Sequence, residues 1–116
     1  MLVDTPPELR LQLIAAGVSA VDAVWFTHIH ADHVHGIDDL RVFTARRGDV
    51  DAYIASEYRE KIARYFEYIF DEAVQAAPGS SIPSVKLHEL EEGRPVGIVG
   101  ESFTPLLVPH GPTNVY

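Results

Sequence analysis

The sequence predicts a layered α/β fold with a mixed sheet, and two observations lead to this prediction. Short apolar segments that suit strands alternate with segments of helical periodicity over residues 2–74, and three strand candidates then follow with no helix between them. The chain has 116 residues, of which 47% are hydrophobic and 22% charged, and this composition is ordinary for one globular domain. We therefore treat residues 1–116 as a single domain.

The first strand and helix are predicted at the start of the chain. Leu2–Val3 suits the end of a strand, and Thr5 with Glu8 forms the pattern of a capping box for the helix that follows. Gly17 suits the position just after the end of that helix. The predicted apolar face of the helix consists of Leu9, Leu11, Leu13, Ile14 and Ala16.

Two further strand–helix pairs and a run of strands follow. Residues 21–27 are apolar and β-prone, as expected for a strand buried on both faces, and residues 37–45 have helical spacing. A short strand at 52–55 leads to a helix at 57–74, for which Ser56 is the predicted N-cap. The last three predicted strands are residues 85–90, 96–99 and 103–108.

Charge and composition restrict the partners of the chain. The formal net charge is -8 and the nine Lys and Arg residues form no long basic run, which disfavours long nucleic acids. The chain has no cysteine, so a metal would be bound by imidazole and carboxylate, which suit Zn²⁺, Mn²⁺ or Fe. No apolar run reaches the ~20 residues of a membrane span, and the first residues lack a signal-peptide pattern. We therefore expect a cytoplasmic protein that does not enter a membrane.

Four potential metal ligands follow the predicted strand at 21–27, and they are His28, His30, Asp32 and His33. In an extended segment, side chains two residues apart point to the same side, so His28 and His30 can both reach one ion. Asp32 and His33 lie where the chain can turn and meet a second ion. The alternative is a group of surface histidines at the end of a core strand. Four potential ligands within six residues, directly after a buried strand, favour the metal site.

This segment, Thr27-His28-Ile29-His30-Ala31-Asp32-His33, resembles the signature of the metallo-β-lactamase superfamily. Asp4-Thr5-Pro6-Pro7-Glu8-Leu9-Arg10 and Gly36-Ile37-Asp38-Asp39-Leu40-Arg41 resemble a narrower group, the PhnP-type phosphodiesterases, which are relatives of tRNase Z. The similarity covers residues 2–112. It implies an αββα sandwich with a mixed sheet and a site for two metal ions, Zn²⁺ or Mn²⁺ with Fe as a further option.

The resemblance also implies roles for individual residues. His28 and His30 would bind the first ion together with His110, which ends the last predicted strand. Asp32 and His33 would bind the second ion. Asp32 would also act in proton transfer, which its carboxylate permits.

Two residues near the signature are weaker candidates for contact with the site. Asp4 ends the first strand, where the family places an acidic residue that hydrogen-bonds to a metal-ligating histidine. A favourable interaction with the start of the first helix is the equally weighted alternative. His35 lies two residues beyond His33 and is expected to face solvent or support the site rather than bind metal.

The sequence departs from the family pattern at both ends. The bridging aspartate and final histidine of the family have no counterpart before Tyr116, and neither does the N-terminal strand pair with its Gly-rich loop. The resemblance therefore implies part of a domain. The first metal site would have all its ligands except the bridging carboxylate, and the second metal site would have only half of its ligands. Exposed sheet edges and apolar faces would favour self-association.

Three functional hypotheses follow. The first is a metal-dependent phosphodiesterase acting on a small or cyclic phosphodiester. The second keeps the fold and changes the substrate, as in an RNA-processing nuclease, a thioester hydrolase or a lactamase, because fold alone does not choose among these. The third is a catalytically silent fragment that only binds metal.

Overall fold

The computed structural model describes residues 1–116 and confirms the α/β class. Four parallel strands form one sheet, in which they are neighbours in chain order: β1 (Leu2–Val3), β2 (Ala23–Phe26), β3 (Val50–Ala55) and β4 (Val85–Leu90). The antiparallel strands form two separate two-stranded sheets, β5 (Val96–Ile98) with β6 (Glu101–Phe103) and β7 (Val108–His110) with β8 (Thr113–Val115). Parallel and antiparallel strands are thus both present, as predicted, but they do not share a sheet.

Five short helices lie between the strands: α1 (Leu9–Ala15), α2 (Ala31–Val34), α3 (Arg41–Arg47), α4 (Ser56–Tyr65) and α5 (Glu67–Phe70). The helix predicted at 37–45 is a 3₁₀ turn, Ile37–Leu40, that continues into α3. The single helix predicted at 57–74 is wrong, because Phe66 leaves the helical region (φ -124°, ψ 47°) and α5 ends at Phe70. None of the helices is long and apolar enough to span a membrane.

Both predicted helix N-caps are wrong because each hydroxyl has a distant partner. Thr5 is fully buried, and its Oγ1 donates to the backbone carbonyl of Val34 at 3.2 Å. Ser56 Oγ donates to the carbonyl of Leu90 on β4 at 3.2 Å. These hydroxyls therefore join separate parts of the fold instead of closing the first turn of α1 or α4.

The predicted end of α1 is confirmed. Gly17 has a φ of +64°, its N–H donates to Ile14, and the N–H of Val18 donates to Leu13 at 3.0 Å. This pair of bonds is a Schellman motif, which satisfies the last carbonyls of the helix. The predicted apolar face is only partly correct, because Leu11 and Ile14 are exposed.

The strand predicted at 103–108 is interrupted. Its N-terminal end belongs to β6, and β7 begins only at Val108. Pro105 lies between them and is buried, and a proline has no N–H for a strand ladder. Its carbonyl instead accepts a bond from the N–H of Gly93 at 2.8 Å. The strand predicted at 96–99 ends one residue early, since Val99 turns with a φ of +52°.

The central strand β2 explains the two hydrophobic clusters. All four of its residues are buried, as predicted for a strand covered on both faces. Val24 and Phe26 point into the main cluster beneath the helices, whereas Ala23 and Trp25 point into a smaller cluster with Leu90 and Ile98. Because side chains on both faces of β2 are packed in hydrophobic clusters, the strand anchors the residues that directly follow it.

Candidate metal centre

The histidine signature leaves the carboxyl end of β2. His28 and His30 lie in the extended segment between Phe26 and α2, and His30 has extended backbone angles (φ -66°, ψ 150°) just before that helix. Asp32 and His33 lie in α2 itself. His28 and His30 are thus in an extended segment, as predicted, whereas the placement of Asp32 and His33 on a short helix was not predicted.

His28, His30 and His110 come together from distant parts of the chain. One ring nitrogen of each lies within 4.8 Å of the others, and His28 Nε2 is 2.9 Å from His30 Nδ1. The ring centroid of His110 is 5.4 Å from that of His28 and 5.6 Å from that of His30. His28 is only 2% exposed, while the other two are open to solvent. The arrangement is a three-imidazole cluster with one buried wall and one open side.

The electrostatic surroundings of His28 favour its neutral form. Burial lowers the pKa of His28, the nearby imidazoles of His33 and His30 lower it further, and Asp4 opposes these effects in part. A neutral imidazole has a free lone pair on one ring nitrogen, which is the form that binds a metal ion.

Asp4 and Thr27 determine which nitrogen of two histidines carries the proton. Asp4 Oδ2 accepts bonds from Thr27 Oγ1 at 2.8 Å and from His33 Nδ1 at 2.7 Å. Because the single Thr27 hydroxyl proton points to Asp4, its oxygen accepts from His28 Nδ1 at 3.0 Å. Both histidines therefore carry a proton on Nδ1, so Nε2 is the ring nitrogen that each would offer to a metal ion.

Asp4 reaches these partners from an unusual backbone conformation. Its φ of +60° lies in the left-handed region, which aspartate tolerates better than most residues. Its Oδ1 also accepts a bond from the backbone N–H of Thr27 at 2.8 Å. The bond that His33 Nδ1 donates to Asp4 Oδ2 is a contact of the kind that the resemblance implied. For the alternative role, α1 begins only at Leu9 and has no acidic residue in its first turn.

Asp32 and His33 lie beside the three-histidine cluster. The ring centroid of His33 is 4.1 Å from that of His28, and its Nε2 is 3.5 Å from Asp32 Oδ2. The Asp32 side chain is 78% exposed. Their binding of a second ion, and the role of Asp32 in proton transfer, stay predictions. His35 is exposed and packs edge-on against Phe66 instead.

Sequence reasoning missed two threonines that contact the cluster. Thr27 directly precedes the four potential ligands, but its position in the sequence alone indicates no contact with them. Thr113 lies on β8, and its Oγ1 is 3.5 Å from His30 Nε2. The other nitrogen of the same ring, Nδ1, lies 2.9 Å from Nε2 of His28. A pairing across 83 positions leaves no local pattern in the sequence.

An Asp4→Asn substitution tests the proton assignment. An amide offers one acceptor oxygen in place of two, so it cannot accept all three bonds from Thr27 and His33. We expect His33 to lose its uniform Nδ1–H form, and the free energy of unfolding to fall by about 1.5–3 kcal/mol, as for a hydrogen bond to a charged group. Nitrogen NMR of the metal-free imidazoles measures the first effect and urea denaturation the second. Unchanged imidazole shifts would contradict the assignment.

Comparison with known proteins places the chain among metallo-β-lactamase folds. The family model for the beta-lactamase superfamily domain matches residues 1–114. A crystal structure described as a new diphosphatase from the PhnP family has a TM-score of 0.80 and 30% identity, and the match covers 98% of this chain and 41% of that one. The metallo-beta-lactamase fold protein YhfI from Bacillus subtilis has a TM-score of 0.70 at 19% identity, with 98% and 42% covered, which is a likeness of fold.

A curated protein from Porphyromonas gingivalis, named octanoyltransferase, is 32% identical over 111 residues. The match covers 96% of this chain but only 22% of that protein, so its name describes a molecule of which the matched segment is a minor part. The chain spans less than half the length of each of these three proteins.

Proposed function

The chain belongs to the beta-lactamase superfamily, and from this premise we propose that it forms the metal-binding part of a hydrolase that cleaves a small phosphodiester. The observation that carries the proposal is the cluster of His28, His30 and His110, which gathers three imidazoles from two distant segments. Asp32 and His33 lie at the edge of the same cluster. This family fold typically binds divalent metals, and the residues present have the matching chemistry.

The donor set fits a divalent ion bound by nitrogen and oxygen. Three imidazoles with an open side suit Zn²⁺, Mn²⁺ or Fe, and the chain has no thiolate that would favour softer metals. The three ring nitrogens lie within 4.8 Å of one another, so His28, His30 and His110 are the residues that would hold the ion. When bound, such an ion supplies positive charge that polarises a phosphoryl oxygen and acidifies water.

The residues of the chain supply orientation and proton transfer. Asp4 holds the ring of His33 by a 2.7 Å bond to Nδ1, and Nε2 of the same ring lies 3.5 Å from Asp32 Oδ2. The carboxylate of Asp32 is exposed beside that nitrogen, and we propose that it accepts a proton from the attacking water. His28 is enclosed, so one wall of the site excludes solvent.

Charge and similarity support a small phosphate ester as substrate. The formal net charge of -8 disfavours a long polyanion, whereas a single phosphodiester needs only local positive charge at the site. The structure with 30% identity is described as a diphosphatase, an activity on a phosphate compound. A cytoplasmic location and self-association through exposed sheet edges and apolar faces stay predictions.

Turnover of a simple aryl phosphodiester tests the proposal. The intact natural protein, loaded with Mn²⁺ or Zn²⁺, is expected to hydrolyse bis(4-nitrophenyl) phosphate, and a chelator is expected to stop it. Asp32→Asn should lower kcat by about 10²–10⁴-fold, the usual contribution of a positioned proton acceptor. Asp71→Asn, which changes an exposed carboxylate outside the cluster, is the matched control. Absence of turnover by protein that carries its metal would contradict the proposal.

A catalytically silent metal-binding role is the competing function. Its support is that the match covers only 41% of the diphosphatase, while the cluster within the matched segment provides three ligands for one ion. Protein that binds metal at the cluster but hydrolyses neither a phosphodiester, a thioester nor a β-lactam would favour this alternative over every hydrolase reading.

A further inference from the structure

His110 lies on a hairpin that has little contact with the core. All three residues of β7 are exposed, and β7 pairs only with β8. His28 and His30, in contrast, directly follow the buried strand β2. The third member of the cluster therefore depends on whatever fixes the β7–β8 hairpin to the rest of the fold.

The first turn of α4 holds this hairpin through Asn114. The hydroxyl of Tyr58 donates to the carbonyl of Asn114 at 2.8 Å and accepts from its N–H at 3.0 Å. Glu57 Oε1 accepts from Asn114 Nδ2 at 3.2 Å and from the hydroxyl of Tyr116 at 2.7 Å. Tyr58 is 3% exposed and belongs to the main hydrophobic cluster, so its hydroxyl is a fixed point.

Tyr116, the residue that follows β8, is bonded to β2 and to the first residue of the histidine signature. The indole N–H of Trp25 donates to the carbonyl of Tyr116 at 2.9 Å, and the N–H of Tyr116 donates to the carbonyl of Thr27 at 3.1 Å. Burial, followed by the bond to Glu57, raises the pKa of Tyr116 to about 12. Its hydroxyl therefore remains a donor at every pH at which the protein would be assayed.

The register of the hairpin passes this restraint on to His110. Asn114 faces Pro109, and His110 faces Thr113, so the residue held by Tyr58 is diagonal to the metal-site histidine. Pro109 has no N–H to donate to Asn114 across the hairpin. The backbone carbonyl and N–H of Asn114 bond to the hydroxyl of Tyr58 instead. We propose that Tyr58 is a positioning residue that holds the β7–β8 hairpin so that His110 completes the cluster with His28 and His30. This inference rests on the metal site proposed above.

Tyr58→Phe tests the inference because it keeps the buried ring and removes only the hydroxyl. We expect about tenfold weaker Co²⁺ binding by chelator competition, within the usual effect of residues that orient a ligand. The visible Co²⁺ spectrum should also shift towards that of His110→Ala, a change that a general loss of stability would not produce. Tyr65→Phe, on the same helix but 59% exposed and without a hydrogen bond to the hairpin, should bind Co²⁺ like the parent.

Glu57→Ala provides a second variant at an exposed position, in case loss of the Tyr58 hydroxyl unfolds the chain. It removes the acceptor for Asn114 and Tyr116, so its Co²⁺ affinity and spectrum should move in the same direction. Parent-like affinity and spectrum in the folded variants would overturn the positioning role. If the parent itself binds no Co²⁺, the proposed metal site fails, and amide exchange at Asn114, faster in Tyr58→Phe, still decides whether Tyr58 holds the hairpin.

Discussion

Replacing both His28 and His30 by alanine is expected to remove the tightly bound metal from this chain. The parent should retain about one ion per chain after dialysis, because the three-imidazole cluster is complete whereas Asp32 and His33 are two neighbouring ligands without further partners in the cluster. The double variant keeps only His110 of the three-histidine cluster, with Asp32 and His33 beside it, and we expect this remainder to release the ion during dialysis. Elemental analysis of both proteins measures the difference.

The control for this experiment is the double variant His35→Ala, His88→Ala. Both histidines are exposed and lie outside the cluster, His35 against Phe66 and His88 in a pair with Asp51. This control should retain metal like the parent. Circular dichroism checks that the loss of the buried His28 has not unfolded the chain. Two ions per parent chain would show that Asp32 and His33 form a second tight site, and equal metal in parent and His28/His30 variant would refute the cluster as the binding site.

A Gly36→Ala substitution is expected to produce the largest loss of stability for the smallest chemical change. A Cβ at Gly36 would lie 2.1 Å from the carbonyl oxygen of Pro6 and 3.0 Å from Cβ of Leu9, and backbone cannot swing aside as a side chain can. The N–H of Gly36 also donates to the carbonyl of Thr5 at 2.8 Å. We expect the free energy of unfolding to fall by about 3 kcal/mol, as for overpacking in a tight core.

The same change should reach the metal site, because Thr5 and Pro6 directly follow Asp4, which holds His33 and Thr27. Urea denaturation of Gly36→Ala measures the stability, and Gly97→Ala is the matched control. Gly97 lies on β5, has ordinary backbone angles and has open space where a Cβ would be added. A Gly36→Ala protein as stable as the Gly97→Ala protein would contradict the close packing between this loop and the signature helix.

Local patterns were reliable where the deciding contacts are local. The buried strand β2 and the end of α1 at Gly17 follow from apolar runs and from backbone freedom at glycine, and both are confirmed. The N-caps at Thr5 and Ser56 were wrong because distant carbonyls on Val34 and Leu90 outcompete the local bond. The break at Pro105 shows the same limit, since strand propensity does not reveal which ladder partner is available.

The sequence by itself determined the fold class and the signature from His28 to His33, because strand periodicity and ligand spacing are properties of neighbouring residues. His110 entered only through the family resemblance, and the tertiary structure brings its ring to 5.4 Å from that of His28. Tertiary structure alone decided that Thr27 orients His28 and that Tyr58 holds the hairpin. Thr27 is positioned by β2 and Tyr58 by α4, so their contacts depend on how these elements pack. The spacing of residues along the chain does not reveal that packing.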